Sequence, residues 1–207
     1  MISLAILLAS AALAGAAGGT FVYGRVRKKQ GEEPKPEREP KERGPIALGD
    51  VIVLDEGRGG ELWVARELAL CEAGAPPWLV LFEADGPEAA RAILAWDPNE
   101  PSSFAVLSPR DLKLATRLPS TIEVEVDGAP TCLTLIARRT SLAELDAAPS
   151  AEGASALAPA GELLVGTYRG GARGFAVVTK TASGAWLYAG HRVAMHEVSV
   201  LKVDRAT

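Results

Sequence analysis

Three hydropathy regimes follow one another along the chain. Residues 1–24, MISLAILLASAALAGAAGGTFVYG, hold no charged side chain. At about 1.5 Å of rise per residue, a helix of that length reaches roughly 36 Å, enough to cross a hydrocarbon core about 30 Å thick. A transmembrane helix is therefore expected over 1–24. Tyr23 stands where an interfacial aromatic belongs, and Arg25, Arg27, Lys28 and Lys29 follow at once. The positive-inside rule keeps such a flank in the cytoplasm, which predicts a single-pass anchor with its N-terminus out and the rest of the chain in the cytoplasm. A second reading stays open, because Ala12-Leu13-Ala14 has the A-x-A form of a signal cleavage site. Cleavage there would leave an exported, periplasmic domain.

The same stretch carries two candidate contact sets. Ala11, Gly15 and Gly19 recur every four residues, the small-residue stripe that lets two membrane helices approach and a homo-oligomer form. Arg25, Arg27, Lys28 and Lys29 are placed to touch anionic lipid headgroups. Residues 25–45 then form a linker in which Pro34, Pro36, Pro40 and Pro45 alternate with charges. Proline removes amide donors and favours extended backbone, so this is a solvated, semi-stiff spacer.

From residue 46 the pattern changes to short apolar runs separated by turn residues. Eleven strand candidates result, at 51–55, 62–71, 78–83, 90–96, 104–107, 121–126, 132–138, 163–168, 175–179, 185–188 and 198–203. Ile122 to Asp127 alternates strictly, and Asp127-Gly128 supplies hairpin-turn chemistry. Helical turns are admitted only at 87–91 and 141–147, where Ser141-x-x-Glu144 has the look of a capping box. Residues 147–160, AAPSAEGASALAPA, follow neither a period of two nor one of 3.6 and read as a flexible Ala/Ser/Pro loop. The expected fold is all-β: small barrel-like lobes of SH3-like strand number, one or two of them. A first lobe is expected over 46–146, with 161–207 completing the domain. A short echo links Gly49-Asp50-Val51 to Val126-Asp127-Gly128.

Composition narrows the function classes. The chain is 48% hydrophobic, which excludes a wholly disordered protein. Net charge is −4, divided as +3 over residues 25–44 and −7 beyond them. A domain of that sign is not a nucleic-acid binder held by a basic surface. Two cysteines, Cys71 and Cys132, are too few for a disulfide scaffold and are expected as small buried hydrophobes. His191 and His196 lack metal-ligand spacing and read as turn or edge residues. Trp63, Trp78, Trp96 and Trp186 fall on strands and are expected in the core. The glycine-rich stretch GTYRGGARG at 166–174 reads as a hairpin tip, with Arg169 and Arg173 as candidate contacts to an acidic partner. No phosphate loop, nucleophile elbow or zinc-binding His pair occurs, so no catalytic, cofactor or metal residue is assigned.

Leu48-Gly49-Asp50-Val51, the strand with Trp63, Trp78-Leu79-Val80-Leu81-Phe82, Ile93-Leu94-Ala95-Trp96, the run 121–128 and Trp186-Leu187-Tyr188-Ala189-Gly190 make a recognisable succession. Over residues 46–203 it resembles the bacterial domain-of-unknown-function family 4178. The resemblance implies a β-rich fold of repeated units and a setting beside membrane proteins, including membrane-remodelling partners. It implies no active site. The expected function is a non-enzymatic protein-interaction or adaptor module at a bacterial inner membrane. A hydrolase-type enzyme with an unrecognised site is the alternative class.

Overall fold

In the computed structural model, the described residues are 44–54, 60–86, 91–111 and 117–202. The expected membrane helix, its Ala11, Gly15 and Gly19 stripe, the basic flank at Arg25, Arg27, Lys28 and Lys29, and the turn at 87–90 lie outside them. Among the described residues no helix is long and apolar enough to cross a membrane.

The described chain is all-β. Its strands are β1 (Val51–Leu54), β2 (Glu61–Cys71), β3 (Pro77–Asp85), β4 (Arg91–Trp96), β5 (Ser103–Arg110), β6 (Thr121–Val126), β7 (Ala129–Ala147), β8 (Gly161–Gly170), β9 (Gly174–Lys180), β10 (Ala185–Ala194) and β11 (Val198–Leu201). Each of the eleven runs of alternating or apolar residues became a strand. A single 3-10 turn, Met195–Glu197, was not anticipated; it is closed by Ala194 N–H donating to the Glu197 carboxylate at 3.1 Å.

All pairings are antiparallel, in the order β11-β1-β2-β3-β4-β5-β10-β9-β8-β7-β6, with a further pairing of β2 to β7. That last pairing closes β2, β3, β4, β5, β10, β9, β8 and β7 into a ring. The ring is two four-strand meanders, β2–β5 and β7–β10, joined along two seams. Each meander is preceded by a hairpin partner, β1 on β2 and β6 on β7. The division between the halves thus falls between β5 and β6, not at 147–160 as the composition suggested.

The registers make the halves equivalent strand by strand. In β2 the ladder slips between Val64 and Arg66, and in β7 between Leu135 and Ala137. Each bulge follows the segment paired to the short hairpin strand. Matching the bulges carries Leu81 onto Val165, Ala95 onto Thr179 and Leu107 onto Tyr188 through the strand pairings of each half. The β5–β10 register has its two-fold point at Ser108↔Ala189, inside the ladder, whereas that of β2–β7 is at Cys71↔Leu142, the last pair of a ladder that runs only toward Arg66↔Ala147. The short echo noted in the sequence does not mark this equivalence, since Gly49-Asp50-Val51 opens β1 whereas Asp127-Gly128 is the β6–β7 turn.

A bulge flips the faces of a strand, because side chains alternate with a period of two. Leu62 and Val64 therefore pack in one cluster with Ile52, Phe82 and Leu94, and Leu68 and Leu70 in another with Leu81 and Ile93. Leu133 and Leu135 likewise join Ile122, Tyr168 and Val178, while Ala143, past the second bulge, joins the central cluster. Three cores result: one under each hairpin, and a shared one inside the ring.

Some expectations require correction. Residues 141–147 are strand, since Ser141 and Ala143 are buried while Leu142 between them is exposed, a period of two. No capping box forms; Ser141 Oγ instead accepts from Trp78 Nε1 at 2.9 Å. The four tryptophans are half-buried rather than central, and Phe82, Tyr168 and Tyr188 fill the fully buried aromatic positions. Cys71 is half-buried and Cys132 exposed, and neither is in a disulfide. His191 is not at an edge: it pairs with Gly174 of β9 and Val106 of β5, and its Nδ1 lies 3.2 Å from the Asp127 carboxylate. The expected hairpin turn is present there, with Asp127 at φ 51° and Gly128 at φ 79°.

The β5–β10 seam leaves no room for a side chain at Gly190. A Cβ there would stand 2.1 Å from the carbonyl oxygen of Val106. Gly190→Ala should therefore part the ladder locally and cost about 1–3 kcal/mol in urea unfolding, the range for overpacking. A variant as stable as the parent would show that the seam is not so tightly closed.

Candidate functional site

The ring has two ends, and the sequence treats them differently. At one end the buried wall residues are Arg66, Glu83, Leu163 and Tyr188, with Arg91 at the exposed rim. Of the run 147–160 read from composition as a flexible loop, Ala147 ends β7 and 148–160 is seated on this end. Leu157 and Ala158 are 3% and 0% exposed and belong to the shared core.

What holds the segment is its backbone. Arg66 Nη2 donates to the carbonyls of Glu152 and Gly153, each at 2.8 Å, and Arg91 Nη1 to that of Ala154 at 2.6 Å. Glu83, fully buried, accepts from Ser155 Oγ at 2.8 Å and from Ala156 N–H at 3.2 Å. Its carboxylate is balanced by Arg66 at 3.3 Å and Arg91 at 3.4 Å. The Tyr188 hydroxyl accepts from Ala158 N–H at 2.9 Å and donates to Ala156 C=O at 3.1 Å. Burial holds the Tyr188 phenol proton far above the ordinary tyrosine range, so this hydroxyl stays a donor at every physiological pH. Alanine and serine are the right residues for such a segment: side chains that small let the backbone itself reach the polar groups of the wall. The loop reading failed because composition registers the absence of periodicity but not the partners waiting in the barrel.

The other end is open. The link that corresponds to 148–160 in the first half is residues 72–76, which are used up in a tight turn: Ala75 N–H donates to Glu72 C=O at 3.0 Å and Gly74 has φ 74°. A cleft of about 220 Å³ remains, floored by Leu79, Ala95 and Ala105 and rimmed by Trp78, Arg139, Arg169, Phe175, Arg192 and Glu100. By the correspondence of the two halves, Ala137, Thr167 and Phe175 stand here where Arg66, Glu83 and Arg91 stand at the sealed end. All three line the cleft. Smaller and less polar wall residues leave the space empty of the chain's own groups.

The polar groups of this mouth form a ring outside that wall. Glu100 accepts from Arg169 Nη2 at 3.0 Å on both oxygens, and from Arg192 Nη2 at 2.6 Å. Arg192 also donates to Ser103 Oγ at 2.8 Å. Hydrogen bonding and charge from Arg169, joined by Arg192, hold the Glu100 carboxyl below its ordinary value of 4.5 against the opposing effect of burial. Arg139 lies over the Trp78 ring, 4.8 Å from its centroid, and donates to Glu72 at 2.7 Å. Asp97 is occupied by Asn99, which donates to it from its backbone and its side-chain amide. Two guanidinium groups thus share one carboxylate, and Arg169 Nε is buried without a partner. A guanidinium carries five N–H donors, so the centre of the mouth has more donors than acceptors.

Of the residues singled out from the sequence, Arg169 is in this ring and Arg173 is not. Arg173, on the β8–β9 turn, lies 3.7 Å from Glu197, largely in solvent. The glycine-rich stretch is the hairpin tip expected, with Gly171 at φ 58°. Arg139, Arg192, Glu100 and Trp78 were missed as a set, because they come from four elements with no local motif. The available signal was the unequal length of the two links, visible once the halves are aligned. Among the described residues no three His, Cys, Asp or Glu side chains gather as a metal site would require. No protein-family profile, curated protein or solved structure matches the chain.

Two measurements probe these ends. Glu83→Ala strands Arg66, 6% exposed, without its counter-charge, and should cost about 3–5 kcal/mol in urea unfolding, the penalty for breaking a buried pair. A cost under 1 kcal/mol would mean that the segment seats without Glu83. At the open end, the lowered Glu100 pKa adds stability above the ordinary glutamate value, and that gain is lost as pH falls through the folded value. The stability gap between the parent and Glu100→Gln should therefore be present at pH 7 and shrink below about pH 4.5. A gap constant into strong acid would remove Glu100 from that role.

Proposed function

We propose that this protein is a membrane-anchored, non-enzymatic β-domain that works as a protein-interaction module. In this reading residues 1–24 anchor the chain, 25–45 hold the domain off the bilayer, and the domain is presented on the cytoplasmic face of a bacterial inner membrane. The resemblance to domain-of-unknown-function family 4178 belongs to the same proposal, as does the finer description of the fold as two small SH3-like lobes. Two hairpin-capped meanders, each with its own core and sharing a third, are what supports the second point.

One observation carries the functional reading: one end of the barrel is sealed by the chain itself, while its counterpart is left open and rimmed with arginine and tryptophan. Arginine and tryptophan are enriched where interface energy concentrates, and a charged rim around an apolar floor is a common interface plan. The cleft of about 220 Å³ falls below the roughly 300–1,000 Å³ of sites that enclose a small-molecule ligand. A surface that accepts part of a larger partner fits it better than a cofactor pocket. Tethering raises the local concentration of such a module near other membrane proteins, which makes modest affinity sufficient.

The test uses the full-length chain in native membranes, with a photo-reactive residue at Ile136, 51% exposed beside the mouth. Adducts to a different protein are expected. Adducts only to lipid or to a second copy would overturn the interaction reading. In the same cells, protease added outside spheroplasts should leave the domain intact; its digestion would place the domain on the other side.

A further inference from the structure

The sealed end shows what a mouth of this barrel is built to hold. Its occupant, 152–158, is a short run of small residues gripped by carbonyl-to-guanidinium and amide-to-carboxylate hydrogen bonds, with two side chains, Leu157 and Ala158, entering the shared core. The open end is related to it by the register of the two halves. It offers the same pair of functional groups, guanidinium and carboxylate, in Arg169, Arg192 and Glu100, above an apolar floor continuous with the same core.

We propose that the open mouth is a peptide-binding site, and that its ligand is a small-residue segment of a partner protein, inserted by its backbone as 152–158 is inserted at the sealed end. This rests on the interaction reading above and names the chemistry of the partner. Three observations select that occupant. The volume admits one or two small side chains, not a helix, whose diameter with side chains is about 10–12 Å. The two guanidinium groups share one carboxylate, and Arg169 Nε is buried and unpartnered, as Arg66 Nη1 is at the occupied end; donors in surplus call for carbonyl oxygens of the kind that Glu152, Gly153 and Ala154 supply there. Finally, Glu100, Asp97 and Glu72 balance Arg139, Arg169 and Arg192 in formal charge, so nothing in the mouth demands an acidic ligand. A backbone presents donors and acceptors together and carries no charge, which suits a balanced site.

The probe is a synthetic peptide with the sequence of residues 148–160, APSAEGASALAPA, titrated into the solubilised full-length protein by calorimetry. A photo-reactive copy maps the contact by mass spectrometry. Saturable binding is expected, with cross-links at Trp78, Ile136 or Phe175. Combined Arg169→Met and Arg192→Met substitution should weaken it at least tenfold, and Arg173→Met, outside the mouth, should leave it unchanged. Ala137→Phe fills the cleft while keeping every charge, and should abolish binding even if the double variant folds poorly. No saturable binding, binding indifferent to Ala137→Phe, or complete displacement by sodium acetate at equal concentration would each overturn the proposal, the last by marking a small-anion site. The two readings fail separately. Capture of a membrane partner through a cross-linker at Glu123 on β6, but never through Ile136, removes the mouth and keeps the module. Peptide binding in solution with no partner captured in membranes does the reverse.

Discussion

Glu83 imposes the constraint from which the rest follows. A carboxylate with no solvent contact has to be matched by charge and by hydrogen-bond donors, or the desolvation of the ion outweighs anything gained by burying it. Arg66 and Arg91 supply the charge, but their guanidinium groups bring donors of their own that need acceptors. Segment 152–156 meets most of both demands, giving backbone carbonyls to the arginines and the Ala156 amide and Ser155 hydroxyl to the glutamate, and leaving only Arg66 Nη1 without a hydrogen bond there. Seating the segment and neutralising the core are therefore one event. A buried ion pair of this kind contributes little net stability against an apolar replacement, yet it specifies which backbone atoms face which wall. At the sealed end that specificity converts an alanine-rich stretch without intrinsic structure into a fixed part of the domain.

The second constraint is geometric. β2 and β7 each serve two cores, one under a short hairpin and one inside the ring, and a strand shows only two faces. The bulges at Ala65 and Ile136 resolve this by shifting the alternation partway along. Because both occur at the same place relative to the hairpin, the ring acquires a two-fold relation between its halves, and each end of the ring is an image of the other. Any difference between the ends must then come from the links and from side-chain substitutions. Both act in one direction here: the link at 72–76 is short, and Ala137, Thr167 and Phe175 replace the three charged residues that would have held a longer one.

Much of the fold was legible in the residues. Period-two alternation and Gly- or Pro-based turns marked all eleven strands, because each reports a local property of the chain. Lengths were less legible: β7 was seen only over 132–138, since its bulge breaks the alternation and its continuation through Ser141 and Ala143 imitates a helix start. The closure of the ring and the equivalence of its halves were not visible at all, because they depend on pairings between residues such as Leu68 and Leu145 that no local pattern encodes. The site suffered from the same limitation. Arg169 was found through its glycine-rich hairpin, whereas Arg192, Glu100 and Arg139 meet it only after β10, the β4–β5 turn and β7 are brought to one end of the ring. The tryptophans misled in an instructive way. Their size suggested a core role, but a ring filled mainly by leucine, alanine, valine and one tyrosine has little interior space for indoles, which sit instead at its margins.

Unequal links have a consequence for how the domain can evolve and act. Two ends related by a two-fold axis begin with similar capacity to receive a strand of backbone, and lengthening one link satisfies one end permanently. The satisfied end becomes structural, since its occupant is always present at the effectively unlimited concentration of a covalent neighbour. The other end lacks the charged wall residues and carries guanidinium and carboxylate groups from other positions, Arg169 and Arg192 paired with Glu100 and Arg169 Nε left without a partner. Such a site is held ready rather than collapsed. Its internal ion pairs cost little to rearrange because they lie near solvent, where ion pairs are worth only about 0–1 kcal/mol. A domain that sits seven charges to the acidic side gains no long-range attraction for an acidic partner, so in the proposed role recognition would rest on short-range hydrogen-bond geometry. Contacts of that kind would be specific and weak, a combination that the proposed tethering to a shared surface would make useful.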